Sequence, residues 1–182
     1  MTEEIIIAGF GGQGVLSMGK IMAYAAVKQG MEVSWMPSYG PEMRGGTANV
    51  TVIISSELIS SPIVRYFDTA IILNQQSLDK FEPFVKPGGV LIYDSNGITR
   101  HPERTDISIY NIDATAEALK LNNSKVFNMI TLGGYLKIKP IITIENVINA
   151  LRELMQRHHN LIPANEQALL RGADIIKEVV VK

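Results

Sequence analysis

The chain has 182 residues, 46% hydrophobic and 19% charged, which suits one globular domain spanning residues 1–182 with a full core. Its formal net charge of −1 provides no global field toward nucleic acid or a membrane surface. It has no cysteine, which excludes disulfides, thiolate chemistry, cysteine zinc sites and protein-ligated iron–sulfur clusters within this chain. The polar, acidic start Met1-Thr2-Glu3-Glu4 is unlike a secretory signal, and no apolar run approaches the ~20 residues that span a bilayer. A soluble cytoplasmic protein is the expectation.

In chain order, residues 5–8 (Ile-Ile-Ile-Ala) read as a buried strand. Val15, Met18, Met22 and Ala25 recur at helical spacing and predict a helix from the glycines before them to about Gln29, ended by Gly30. Residues 32–36 form a second strand closed by Pro37, and residues 37–46 read as an ordered loop rich in turn formers. Residues 47–55 alternate, which predicts a strand with one less buried face, near an edge or in an antiparallel pairing. The apolar runs 70–73 and 90–93 predict central parallel strands, with a helix over 77–85 and a turn over 86–89 between them. Residues 107–112 form a further strand. Helices are expected over 114–121, 126–136, 144–155 and 164–180, punctuated by Pro140 and Pro163. Strands alternating with helices predict a three-layer α/β/α sandwich with a mostly parallel, Rossmann-like sheet.

The chemistry-bearing motif is Gly9-Phe10-Gly11-Gly12-Gln13-Gly14. It follows a strand and opens a helix, the arrangement in which backbone N–H groups and the helix dipole face a phosphate. The same glycines would also serve a tight turn alone. A dinucleotide site wants an acidic residue at the end of the second strand, and Trp35-Met36-Pro37 stands there, which argues against NAD or FAD. Gln13 adds a neutral amide, and Lys20 follows on the first helix within reach of an outer phosphate. The loop Ser38-Tyr39-Gly40-Pro41-Glu42-Met43-Arg44-Gly45-Gly46-Thr47 sets Arg44 near glycines, free to meet a carboxylate or phosphate. It sits beside the first loop if the first three strands are neighbours. No nucleophile elbow, Walker loop or metal-ligand spacing is present. His101, His158 and His159 read as surface residues, so no catalytic residue and no metal ligand is assigned. Gly133 and Gly134 lie in a helical stretch at about 1 kcal/mol each, which calls for close packing against another element or subunit.

Residues 6–15, the block 37–48, Ser61-Pro62 and Lys86-Pro87-Gly88-Gly89 resemble the gamma subunit of 2-oxoacid:ferredoxin oxidoreductases over nearly the whole chain. The block 38–46 resembles the forms acting on 2-oxoglutarate or branched-chain 2-oxoacids more than the pyruvate form. The beta subunit of indolepyruvate oxidoreductase shares the glycine loop. The resemblance implies oxidative decarboxylation of a 2-oxoacid, 2-oxoglutarate foremost, to an acyl-CoA with reduction of ferredoxin. It assigns thiamine diphosphate, Mg2+ and iron–sulfur clusters to partner subunits: alpha and beta, with or without delta. It implies that Gly9, Gly11, Gly12, Gln13, Gly14 and Lys20 bind coenzyme A, and that Tyr39, Glu42, Arg44, Gly45 and Gly46 line the entrance or dock to the partners. No nucleic acid or membrane partner is expected, and a homodimer of the isolated chain stays open. Two other readings remain: a non-catalytic assembly subunit whose glycine loop meets protein, and an independent nucleotide-binding protein.

Overall fold

A computed structural model describes residues 1–39 and 46–181, less the side chain of Tyr39. Its frame is a seven-stranded sheet in the order β2-β3-β1-β4-β5-β6-β7. The strands are β1 (Thr2–Phe10), β2 (Glu32–Tyr39), β3 (Thr47–Ser55), β4 (Phe67–Ile72), β5 (Val85–Tyr93), β6 (Ser108–Asn111) and β7 (Lys177–Val179). β1 carries the β-branched run that suits a strand buried on both faces. Ile5 and Ile7 enter one core, while Ile6 and Ala8 enter the other. β4, β5 and β6 follow β1 in parallel, whereas β3 runs antiparallel to both β1 and β2, and β7 antiparallel to β6. Five strands therefore share one direction, as expected of a mostly parallel sheet, and β3 and β7 oppose it.

Among the described residues six α-helices cover the sheet: α1 (Val15–Lys28), α2 (Gln75–Phe81), α3 (Ala114–Lys120), α4 (Phe127–Ile138), α5 (Ile144–Leu154) and α6 (Ile162–Ile175). Met18 and Met22 of α1, Ile130 of α4, Leu151 of α5 and Leu169 of α6 share the larger core with the Ile5 face of β1. Leu78 and Phe81 of α2 close the smaller core on the Ile6 face, so the third layer is thin. α1 stops where Gly30 takes φ +80°, its N–H donating to the Val27 carbonyl and that of Met31 to Ala26. Pro163 sits in the first turn of α6, where a missing N–H costs nothing.

Several boundaries differ from the sequence reading, each for a physical reason. β2 does not stop at Pro37 but runs through it to Tyr39. It is the outermost strand, where a missing N–H is tolerated. Residues 86–89 lie inside β5 rather than forming a separate turn. Gly88 at φ +75° and a register shift opposite Phe67 and Thr69 absorb the irregularity. α6 ends at Ile175, not near Val180, and its β-branched tail pairs with β6 as β7. In β3 the expected less buried face is confined to Thr47 and Asn49, because β2 and β1 flank it on both sides.

The glycines expected to demand close packing do so within the chain. A Cβ on Gly133 would stand 1.9 Å from the Leu169 carbonyl oxygen, and one on Gly172 would stand 1.8 Å from that of Ile130. α4 and α6 thus touch backbone to backbone.

Candidate functional site

The glycine loop leaves β1 at its carboxyl end, where parallel strands of an open sheet conventionally present ligands. Gly12 takes φ +96° and Gly14, the residue capping α1, takes φ +72°, both in the left-handed region that favours glycine. The space around Gly12 is open, whereas a Cβ on Gly14 would meet the Asn128 side-chain nitrogen at 2.3 Å. Gly9 answers a different need: inside β1, a Cβ there would stand 2.6 Å from Gln13 Oε1 and 3.0 Å from Leu73 Cβ.

Counting backbone donors separates bracing groups from available ones. The Gly11 N–H donates to the Gly46 carbonyl at 2.8 Å, and the Gln13 N–H to Phe10 at 3.1 Å. The Gln13 side chain turns inward. Its Oε1 accepts from the Phe10 N–H at 2.6 Å, and its Nε2 donates to the Leu73 carbonyl at 3.1 Å. The glutamine anticipated as a ligand donor is therefore a brace between β1, the loop and the end of β4. The N–H groups of Gly12 and Gly14 have no acceptor among the described residues. Neither do those of Val15, Leu16 and Ser17, because the first intrahelical bond runs from Met18 N–H to the Gly14 carbonyl at 2.9 Å.

These amides border a cleft of about 410 Å³ between the loop, the start of α1 and the start of β3. Its floor and walls are Phe10, Val15, Leu16, Thr47 and Ala48, with Gly46 on the far rim. A polar, donor-rich edge thus faces an apolar wall, a combination suited to an anionic group carried on an apolar or neutral chain. The expected neighbourhood of the two loops holds through the Gly11–Gly46 bond. Glu42, Arg44 and Gly45 lie outside the described residues, as does the Tyr39 side chain; the Tyr39 backbone ends β2 opposite Ala48.

Lys20 does not line this cleft. It is exposed on α1, in a second cavity of about 390 Å³ that adjoins the first through Ser17, common to both. That cavity lies between α1, α5, the start of α6 and the 3-10 turn Ser124–Val126, which contributes Lys125. Sequence reading missed Ser17, Asn128 and Lys125. They come from segments far apart in the chain, and no local spacing marks their convergence. His158 and His159 are exposed, and His101 Nδ1 stands 3.4 Å from the Tyr93 hydroxyl, away from both cavities.

Asp94, just past the carboxyl end of β5, is held structurally. Burial pushes the Asp94 carboxyl above its usual range. The Thr115 hydroxyl and the N–H groups of Asn96 and Thr115, all donating to it, work the other way. At the opposite end of the sheet, burial opposes the charge on Lys86. Its bonds to Asp68 and Glu4, each 2.7 Å, outweigh that and raise its pKa. Among the described residues, no three His, Asp or Glu side chains converge as metal ligands, and no helix is long and apolar enough to cross a membrane.

An α/β sheet with a glycine cradle at the carboxyl end of β1 and an apolar cleft beside it defines an open-sheet protein with a ligand-sized site at its strand ends. Residues 4–175 match the pyruvate ferredoxin/flavodoxin oxidoreductase family, and the chain belongs to it. It is 37% identical over 176 residues to ketoisovalerate oxidoreductase subunit VorA of Methanothermobacter thermautotrophicus, covering 96% of this chain but only 36% of that protein. The chain therefore spans about a third of the length of that relative. It is 33% identical to 2-oxoglutarate synthase subunit KorC of Methanocaldococcus jannaschii, over 98% of this chain and 96% of that one. The gamma subunit of a keto/oxoacid ferredoxin oxidoreductase from Geobacter sulfurreducens superposes with a TM-score of 0.83 at 28% identity, covering 96% of each chain. A 2-oxoglutarate:ferredoxin oxidoreductase from Magnetococcus marinus, described with 2-oxoglutarate, coenzyme A and succinyl-CoA bound, shares the fold with a TM-score of 0.86 at 24% identity. The match covers 95% of this chain and 30% of that one.

Proposed function

We propose that this chain, acting as one domain, is the gamma subunit of a multi-subunit 2-oxoacid:ferredoxin oxidoreductase, and that its glycine cleft holds the pyrophosphate of coenzyme A. The observation that carries the reading is the set of uncommitted N–H groups from Gly12, Gly14 and the first turn of α1 along the edge of an apolar cleft. Backbone donors at a helix N-terminus suit a pyrophosphate. The apolar wall of Phe10, Val15 and Leu16 suits the pantetheine arm that follows it. The family and the full-length match to KorC support the assignment, and 2-oxoglutarate is the preferred substrate. Thiamine diphosphate, Mg2+ and the iron–sulfur clusters belong in this reading to the partner subunits, in keeping with a chain that has no cysteine. The role left to this chain is to place the coenzyme A thiol against an acyl intermediate formed elsewhere. Such positioning contributes up to about 7–11 kcal/mol when geometry is ideal. Gly9, Gly11 and Gln13 shape the cradle. Gly12 and Gly14 supply donors, and Gly46 with the loop before it borders the entrance toward the partners. The complex is placed in the cytoplasm.

Gly12 offers a clean test because a side chain there meets no neighbour within 4 Å. Gly12→Ala and Gly12→Asp both carry backbone strain of about 1–2 kcal/mol, the aspartate somewhat less because it tolerates positive φ better, and differ chiefly in charge. A carboxylate about 5 Å from a phosphate repels it by roughly 3 kcal/mol at an effective dielectric of 20. In the assembled complex, Gly12→Asp should raise the KM for coenzyme A about a hundredfold, against a few-fold for Gly12→Ala. Equal KM values in an intact complex would remove the cradle. Loss of assembly in both variants, with coenzyme A affinity unchanged in whatever complex remains, would favour a loop that meets protein.

A further inference from the structure

The segment that joins β5 to β6 carries Asn96-Gly97, and of all the asparagines in the chain Asn96 alone is followed by glycine. Both residues are exposed. They form the corner of a turn closed by one bond, from the Ile98 N–H to the Ser95 carbonyl at 3.2 Å. Gly97 takes φ +77° while Asn96 stays out of the left-handed region, the arrangement of a type II turn. The Asn96 carboxamide and the Gly97 N–H make no hydrogen bond among the described residues. A Cβ on Gly97 would meet nothing within 4 Å, so no neighbour hinders the peptide between the two residues as it swings. The other asparagines are protected. Asn49, Asn111 and Asn146 precede valine or isoleucine, whose branched side chains shield the following nitrogen. Asn74 is buried, and its Oδ1 accepts from the Ser77 N–H at 2.8 Å. Asn123 precedes the small Ser124, but its Oδ1 is held by the Lys125 N–H at 3.2 Å. Asn149 precedes Ala150 inside α5, where the following N–H belongs to the helix ladder.

We propose that Asn96 is a site of spontaneous deamidation, and that the reaction loosens the strap over the smaller core. The Gly97 nitrogen attacks Asn96 Cγ and forms an N–C bond. The Cγ–Nδ2 bond breaks, and Nδ2 leaves as ammonia with the proton that Gly97 gives up. Water then opens the five-membered imide at either of its carbonyls, to aspartate or to isoaspartate. No electron is transferred, and water is the sole co-reactant. Both products set a carboxylate where a neutral amide stood, on the rim of a hollow of about 260 Å³ that Asp94 and Asp113 already line. Three carboxylates then repel one another there. The isoaspartate route also inserts a methylene into the main chain, so the Ile98 N–H no longer meets the Ser95 carbonyl in register. Downstream lies the strap. Ile98 packs against the smaller core, and the N–H groups of Thr99 and Arg100 donate to Gln75 Oε1 at 2.8 Å and 2.9 Å. The Glu103 N–H donates to Glu82 Oε1 at 2.7 Å. This strap shares the thin third layer with α2, so its release exposes apolar surface. The proposal does not depend on what the glycine cleft binds.

The test ages the full chain at physiological temperature and neutral pH and samples it over weeks. Peptide mass spectrometry follows the replacement of NH by O at each asparagine, with fragmentation that separates isoaspartate from aspartate. Asn96 should convert at least tenfold faster than Asn123, with isoaspartate the major product, and the Tm of the aged chain should fall by several degrees. Asn96→Gln should age without that fall, because its longer side chain cannot close the five-membered imide. The conversion and its products are read on the unmodified chain, so a variant that fails to fold does not shield the proposal. Conversion at Asn96 no faster than at Asn123 overturns it. Aspartate without isoaspartate also overturns it, because water would then have attacked the amide directly and Gly97 taken no part. An aged chain converted at Asn96 with its Tm unchanged, or an equal fall in Asn96→Gln, removes the loosening of the strap.

Discussion

Alanine at Gly172 is the sharpest test of the packing that carries the second cavity. Its Cβ would lie 1.8 Å from the Ile130 carbonyl oxygen, 2.7 Å from that carbonyl carbon and 2.9 Å from the Gly134 nitrogen. Ordinary contact begins near 3.4 Å, and every obstacle is backbone, so no rotamer change relieves the clash. α6 must instead withdraw from α4 by roughly 1.6 Å along the contact direction. Alanine gains about 1 kcal/mol over glycine in helix propensity. Against that stands overpacking, which costs about 1–3 kcal/mol where side chains can yield, together with the packing lost when two helices part. A net loss of about 2–4 kcal/mol follows, or roughly 4–16 °C in Tm for a domain of this size. Gly133→Ala meets the Leu169 carbonyl from the other side of the same gap and should cost a similar amount. The double variant should cost clearly less than the sum, because one separation accommodates both methyl groups. Gly134→Ala is the control. Its nearest obstacles are the Cδ1 atoms of Ile112 and Ile176, which can rotate away, so propensity should cancel most of the strain. Urea and thermal unfolding of the four variants measure this. A rise in Tm for Gly172→Ala, or equal losses at Gly134 and Gly172, would refute the backbone contact.

Two further outcomes follow from the site and its surroundings. Gln13→Ala removes both bonds of the brace and leaves the Phe10 N–H and the Leu73 carbonyl without partners, costing about 1–3 kcal/mol. Gln13→Glu keeps the acceptor but sets a carboxylate oxygen against the Leu73 carbonyl, so it should cost at least as much as the alanine, read by denaturant midpoint with coenzyme A kinetics alongside. Glu117 accepts from Arg171 at 2.7 Å and from Lys120 at 3.0 Å, and these bonds hold its carboxyl below the ordinary value of 4.5. A depressed folded pKa contributes stability that is present above the unfolded value and is lost as pH falls through the folded one. Glu117→Gln should therefore flatten the loss of stability below about pH 4.5 and leave the neutral-to-alkaline limb parallel to that of the unmodified chain; an unchanged acid limb would remove the pair from the account.

What could be read from the residues alone was whatever local sequence dictates. The glycine turn and the start and end of α1 follow from φ requirements and from periodicity over a few residues, whereas the alternation of β3 left an edge place and an antiparallel pairing open, and the sheet realises the second. What escaped depends on distant partners. Pro37 ends a strand in most sheet positions, and only its placement on the outermost strand lets β2 continue. The tail 176–181 has neither glycine nor proline to stop a helix, and β7 exists because β6 offers it an edge. Gln13 looked like a ligand donor because its reach to Leu73 is invisible until β4 is set beside β1. The second cavity is the extreme case: Lys20 follows the glycine motif, but the segments around residues 123–129, 151–155 and 161–165 that complete the cavity carry no motif.

The antiparallel β3 also explains a residue that is missing. In a doubly wound dinucleotide fold, the second strand lies directly beside the first and its carboxyl end carries the acid that holds a ribose. Here β3 is threaded between β1 and β2. The end of β2 points the right way, but it stands two strand spacings, about 10 Å, from the cradle. An acid at the end of β2, at Ser38 or Tyr39, would be too remote to reach a ribose whose pyrophosphate sat on Gly12 and Gly14. The inserted strand instead brings the Gly46 carbonyl onto the Gly11 N–H and forms the far wall of the cleft with Thr47 and Ala48. The topology that removes the acid's reach thus also walls the cleft on the side where a doubly wound fold would hold a ribose. An acid grafted onto β2 should therefore confer no affinity for NAD, measured by calorimetry on the graft against the unmodified chain; a gain of affinity would refute the spacing argument.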